Sequence, residues 1–187
     1  MDDLADVSEA IRLRGLFVYR YSGVEWAVSA LILHAQQHDA YSEYKGLPWP
    51  WSGKRGGKLE RLRDLVDHGG PLDPYVDRIR AYLQSFAELD ERRNFMVHAI
   101  MTPRENAAGE TTFKFAMFRP TKEGTDYGTM VATITELEAL ADAVQPISSG
   151  FTGLAASIVR DLNVSPIVAM FDMEAPPPFN LKLGNRI

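Results

Sequence analysis

Apolar residues recur at helical spacing over most of the chain, and the period shortens to two only once. Leu4, Val7, Ile11, Leu13 and Leu16 predict a first helix over 4–19, weakened at its end by Gly15. A second helix is predicted over 22–38, opened by Ser22 and Glu25 as a capping box. Its apolar residues (Val24, Trp26, Val28, Leu31, Ile32, Leu33) run almost all round, which places it at the centre of a bundle. Pro48, Pro50, Gly53, Gly56 and Gly57 read as a loop over 39–57, followed by a short helix over 58–68 that Gly69-Gly70-Pro71 stops. Asp73 and Pro74 read as an N-cap and first helical residue. They open a long helix to about Ile100, striped by Val76, Ile79, Leu83, Phe86 and Leu89 and ended by Thr102-Pro103.

Beyond that point Phe113, Phe115 and Met117 alternate with Thr112, Lys114 and Ala116. Met130, Ala132 and Ile134 alternate with Thr129, Val131 and Thr133. Two alternating runs joined by a turn over 120–128 predict a β-hairpin. Such a pair is unstable alone and needs the helices or another chain to cover it. Thr135 and Glu138 form a further capping box for a last helix of about 25 residues, kinked near Pro146 and Gly150. The expected fold is mainly α: a helical bundle with a β-hairpin inserted at about 112–134 before the last long helix. One helical domain is expected over 1–174, then a Pro-rich C-terminal tail over 175–187.

Composition narrows the classes. Hydrophobic residues are 45% and charged residues 24% of the 187, ordinary for a globular chain. The net charge of -5 argues against a histone-like binder but leaves room for a local basic patch. With no cysteine there is no disulfide, no thiol nucleophile and no Cys-ligated metal, usage that fits a reducing cytoplasm. The acidic start lacks the features of a signal peptide, and the longest apolar stretch, residues 27–35, is about half a membrane span, so a cytoplasmic protein without membrane partner is expected.

Chemistry concentrates in Glu91-Arg92-Arg93-Asn94-Phe95-Met96-Val97-His98. Asn94 and His98 are four apart and share a helix face. Arg93 lies about 100° round from Asn94 but is long enough to lean across. Imidazole exchanges protons near neutral pH, and guanidinium matches two phosphate oxygens. These parts suit metal-independent RNA cleavage by the ribose 2′-OH. In that chemistry His98 is the acid or base, Arg93 the phosphate clamp and Asn94 the orienting amide. Arg92 also fits the spacing, so helix phase has to choose between the two arginines. The plainer reading pairs Arg93 with Glu88, Asp90 or Glu91 and leaves His98 as a histidine at a helix C-terminus.

Arg93-Asn94 followed by His98 resembles the Arg-x(4–6)-His motif of the HEPN superfamily (higher eukaryotes and prokaryotes nucleotide-binding domains), as does its place late in a long helix of an all-α bundle. The resemblance implies an endoribonuclease without cofactor or metal. It also implies a homodimer in which two motifs face each other to supply acid and base. Members commonly serve as toxins or in defence, which leaves room for a neutralising partner protein. The other reading is a non-catalytic helical module that binds nucleotide or protein.

A second region, Tyr41 to Arg63, carries six cations against two carboxylates, interleaved with aromatic rings. Tyr44, Trp49, Trp51, Lys54, Arg55 and Lys58 are therefore the expected contacts to single-stranded RNA, by stacking and by charge. The bland reading has the tryptophans packing the loop onto the bundle. Gly53-Lys54-Arg55 is not a phosphate loop, since Pro48 stands where the first glycine is needed. His34 and His38 are four apart, but without an adjacent Glu or a cysteine they make a poor metal site. The expectation is a partly buried His34 and an exposed His38.

Overall fold

The computed structural model describes residues 3–47, 55–121 and 124–164. Its spine is one helix, α1 (Asp3–Ala35), rather than the two predicted. Gly15 and Gly23 weaken a helix locally, but neither stops one that has a continuous buried stripe to pack. Ser22 and Glu25 therefore lie mid-helix, and the expected capping box is not a cap. The stripe Ala10, Leu13, Phe17, Tyr21, Val24, Val28, Leu31 and Ile32 is buried from the second turn onward, while Leu4 and Ile11, expected on the buried face, are exposed.

The last helix, α5 (Ile134–Leu162), lies along α1. The two run in the same direction: Arg20 meets Asp142, a Cβ on Gly23 would meet the hydroxyl of Ser148, and residues 37–39 lie by 161–163. The cap of α5 is Thr133 with Glu136, two residues earlier than predicted. Both pairs fit the pattern, and the extended backbone at Thr133 decides between them. The helix continues through Pro146. One turn back, Arg20 donates to the Ala141 carbonyl at 2.7 Å, close to where the proline supplies no N–H. Gly150 marks a close approach rather than a kink, because a Cβ there would overlap the ring of Tyr82.

Between these helices the chain folds back on itself. A 3₁₀ segment (Asp39–Tyr44) turns the chain after α1, and α2 (Arg55–His68) ends where Gly69 and Gly70 take φ of +83° and +94°. Asp73 is not an N-cap. It opens a 3₁₀ turn (Asp73–Tyr75) that makes no side-chain cap bond. The predicted long helix is two, α3 (Val76–Glu88) and α4 (Asp90–His98), broken at Leu89 with neither Gly nor Pro. Ile79, Leu83 and Phe86 are buried, and Phe86 stacks on Tyr21 of α1 with ring centroids 4.4 Å apart.

The expected hairpin is a three-stranded antiparallel meander, β1 (Ile100–Glu105), β2 (Thr111–Thr121) and β3 (Gly124–Ala132). Its strands also run through most of the predicted turn at 120–128. Pro103 does not end a helix; it sits in β1, an edge strand, where a missing N–H costs least. The alternation in β2 holds. Phe113 and Phe115 are buried against the helices, and Thr112, Lys114, Ala116 and Phe118 form the opposite face. The Pro-rich tail and its boundary at 174/175 lie outside the described residues. Among the described residues, no helix is long and apolar enough to cross a membrane.

Candidate active site

The motif helix is held by α1 at both of its ends. At its start, the Tyr21 hydroxyl donates to Asp90 at 3.2 Å, placing a carboxylate in the first turn of α4, where the helix dipole favours it. At its end, the last carbonyls of a helix lack intrahelical donors. Here Arg14 supplies them. Its Nε donates to the Met96 carbonyl at 2.6 Å, and its Nη2 donates to those of Ala99 at 2.9 Å and Val97 at 3.3 Å. Burial pushes the Arg14 guanidinium below its ordinary value. Ala99 then turns extended and the chain enters β1. His98 is thus fixed at the junction of helix and sheet, with its side chain exposed.

Helix phase selects Arg93. Arg92 is exposed, whereas the Arg93 side chain is 18% exposed and lies across α1, its guanidinium carbon 5.8 Å from the Tyr21 ring centroid. Its Nη1 is 3.2 Å from His98 Nε2 and 3.3 Å from Asn94 Oδ1. Its Nη2 is 3.5 Å from the Glu25 carboxylate. Its Nε is buried without a hydrogen-bond partner. A guanidinium only donates, so His98 Nε2 accepts in this contact, and the proton of the neutral ring is on Nδ1. The expected surface pairs of Arg93 with Glu88, Asp90 or Glu91 give way to Glu25, a residue of α1 far away in sequence.

The motif residues are therefore brought together: Arg93, Asn94 and His98 form one hydrogen-bonded cluster at the rim of α4. Tyr21 and Arg14, which orient it, were not singled out from sequence, and Glu25 was read only as part of a capping box. They sit on α1, 68 to 85 residues earlier than their partners, and a local pattern carries no information about such pairs.

The described flanks of the predicted RNA-binding loop lie at the C-terminal end of α1, away from this cluster. Tyr41 is buried, its hydroxyl accepting from the Leu72 N–H at 3.1 Å, and burial raises its phenol above the ordinary value. Tyr44 packs edge-on to His68 with centroids 5.6 Å apart, and His68 Nδ1 is 3.0 Å from Glu43. Tyr44 is thus half-buried and in ring contact with its own chain. This cluster adjoins the C-terminal end of α1, ten residues or roughly 15 Å along the helix from Glu25. Lys58 is half-buried at the start of α2. Trp49, Trp51 and Lys54 lie outside the described residues, and of Arg55 only the backbone, the first residue of α2, is described.

His34 is fully buried and its Nδ1 donates to the Ala30 carbonyl at 2.7 Å. His38 is half-buried rather than exposed, and its Nδ1 accepts from the Ala40 N–H. Each ring is committed to its own backbone. Among the described residues no three or more His, Cys, Asp or Glu side chains converge as a metal site would require.

Compared with protein-family models, curated proteins and solved structures, the chain matches none. Its functional reading rests on its own geometry.

Proposed function

We propose that the chain is a HEPN-like, metal-independent endoribonuclease that works as a homodimer. The observation that carries this reading is the contact of Arg93 Nη1 with His98 Nε2 at 3.2 Å, beside Asn94, on an exposed rim. At rest the Nε2 lone pair is occupied by Arg93. An incoming phosphate competes for the same guanidinium, because charged acceptors form the stronger bond. Drawing Arg93 onto the phosphate releases Nε2 to act as base, while Glu25 holds Nη2 and keeps the fork from swinging away.

The chemistry then balances. His98 of one copy takes the proton from the ribose 2′-OH, the 2′-oxygen forms its bond to phosphorus, and the bond from phosphorus to the 5′-oxygen breaks. The leaving 5′-oxygen takes a proton from the imidazolium of the second copy. The products are a 2′,3′-cyclic phosphate and a 5′-hydroxyl. One chain supplies one such histidine, which is why the reading includes a second copy.

The test is cleavage of a mixed RNA pool in EDTA by wild type and His98→Ala. Wild type is expected to give cyclic-phosphate ends, and the variant to be at least about 100-fold slower, the usual contribution of an acid or base. Equal cleavage by both removes His98 from the reaction. The second reading, a non-catalytic interaction module, is favoured by one observation: both Nη atoms of Arg93 are already engaged within the chain. Absence of cleavage by either protein would favour that module.

A further inference from the structure

The outer face of the sheet borders His98, and the sequence pattern alone did not single it out. Register places Ile100, Thr102 and Arg104 of β1 beside Ala116, Lys114 and Thr112 of β2. It also places Phe118, Ala116 and Lys114 beside Tyr127, Thr129 and Val131 of β3. An open groove of about 610 Å³ runs over this face from His98, lined by Arg104, Lys114, Phe118 and Tyr127. Phe118 and Tyr127 are directly paired across the strands and remain 75% and 52% exposed. Their ring centroids are 5.4 Å apart, and Lys114 Nζ stands 5.8 Å over the Tyr127 ring. No carboxylate is among the described residues that line the groove, although the chain has a net charge of -5.

We propose that this sheet face is the platform that binds single-stranded RNA and leads it to His98, an inference that rests on the ribonuclease reading above. Three features favour RNA over an apolar partner. The groove is continuous with the candidate site, because His98 is one of its walls. Its fixed charges, Arg104 and Lys114, are both positive, as a phosphate backbone requires. Lys114 stands over the exposed Tyr127 ring, and Arg104 lies farther along the same face, so rings and cations alternate with the exposed Ile100 and Val131 in an arrangement that holds bases by stacking and backbone by charge. The scale also fits. Phe118 is two strand residues, roughly 7 Å, beyond Ala116. Ala116 pairs with Ile100, two residues after His98. A base stacked on the Phe118–Tyr127 pair therefore lies within a few nucleotides of a phosphate at His98.

The experiment uses the full chain and a fluorescent 2′-O-methyl 12-mer, which lacks the attacking hydroxyl and is not cut. Affinity is read by anisotropy over a salt series for wild type, Phe118→Ala, Tyr127→Ala, Lys114→Gln and Tyr19→Ala. Tyr19 is a control aromatic on α1, 78% exposed and absent from the groove lining. Phe118→Ala and Tyr127→Ala should each weaken binding about 10-fold, within the range for loss of one stacking partner. Lys114→Gln should flatten the salt slope by about 0.7, the value for one released counterion on a single strand. Tyr19→Ala should bind as wild type does. Melting curves check that each variant is folded, and all of these side chains are surface groups. If wild type binds and every groove variant matches it, the platform is wrong while the RNA reading stands. If wild type neither binds the 12-mer nor cleaves RNA, both fall together. A groove variant that turns a dimer into a monomer at unchanged RNA affinity assigns the face to a second copy and overturns the platform.

Discussion

At the residue scale, the site depends on which side chains hold the end of α4. Arg14 is the strongest such group, since three carbonyls share its guanidinium. Replacing it with Met keeps most of the buried stem but leaves those carbonyls without their charged donor. Each hydrogen bond to a charged group is worth about 1.5–3 kcal/mol, and they share one cost of ordering. Arg14→Met should therefore lose about 3 kcal/mol of stability in urea unfolding. Amide exchange should rise most at residues 96–101. A uniform rise over the whole chain would mean that Arg14 supports the core generally and not the motif helix. The cluster it holds was legible in part. Arg93, Asn94 and His98 lie within about one and a half turns of one helix, so their ability to meet follows from spacing. The choice of Arg93 over Arg92 did not follow, because it rests on contact with Tyr21 and Glu25 of α1. Phe118 carries a sequence signal of its own. Phe118 falls on the even positions of β2, the side otherwise occupied by Thr112, Lys114 and Ala116, and a large ring there has no core to enter.

At the element scale, packing overrides local punctuation. Gly150 reads from sequence as a weak point of the last helix, yet the helix is continuous there because α3 comes within a side chain's reach. Gly150→Ala should cost about 1–3 kcal/mol by forcing Tyr82 aside, the usual range for overpacking. Tyr82→Phe removes the hydroxyl that a new Cβ meets first, so the double variant should recover a large part of the loss. Strictly additive losses in thermal unfolding would mean that the contact is not the cause. The same logic explains where the predicted elements differ from the observed ones. Ser22 and Glu25 match a capping box, but a buried stripe on both sides keeps α1 intact. The break at Leu89 has no Gly or Pro to announce it, and just beyond it Tyr21 of α1 donates to Asp90, a contact that local pattern does not show. β1 was hidden by Pro103, which reads as a helix stop and is equally at home on a sheet edge. What survived from pattern alone was the buried apolar face of α3 (Ile79, Leu83 and Phe86) and of β2 (Phe113 and Phe115), whereas of the stripe expected at the start of α1 only Leu13 is buried and Leu4 and Ile11 are exposed.

At the scale of the whole molecule, the cluster sits where the bundle meets the sheet, with His98 exposed at the surface rather than sunk in a pocket. On the proposed ribonuclease reading, one imidazole leaves proton transfer incomplete, and a surface position is what a second copy would need to complete it. This makes subunit mixing diagnostic. Wild type and His98→Ala carrying different tags would be combined in equal parts and allowed to exchange subunits, with the mixed species confirmed by sequential capture. If each productive site needs His98 from both copies, mixed dimers are inactive. Random pairing then leaves about a quarter of the wild-type rate per total chain. If each chain acts alone, half of the rate remains. A value near one quarter, with the isolated mixed dimer silent, fits the two-fold site. A value near one half removes the second copy from the chemistry and leaves Arg93 and His98 to act within one chain, where the opposing acid must then be sought among the groups that border His98 on the sheet.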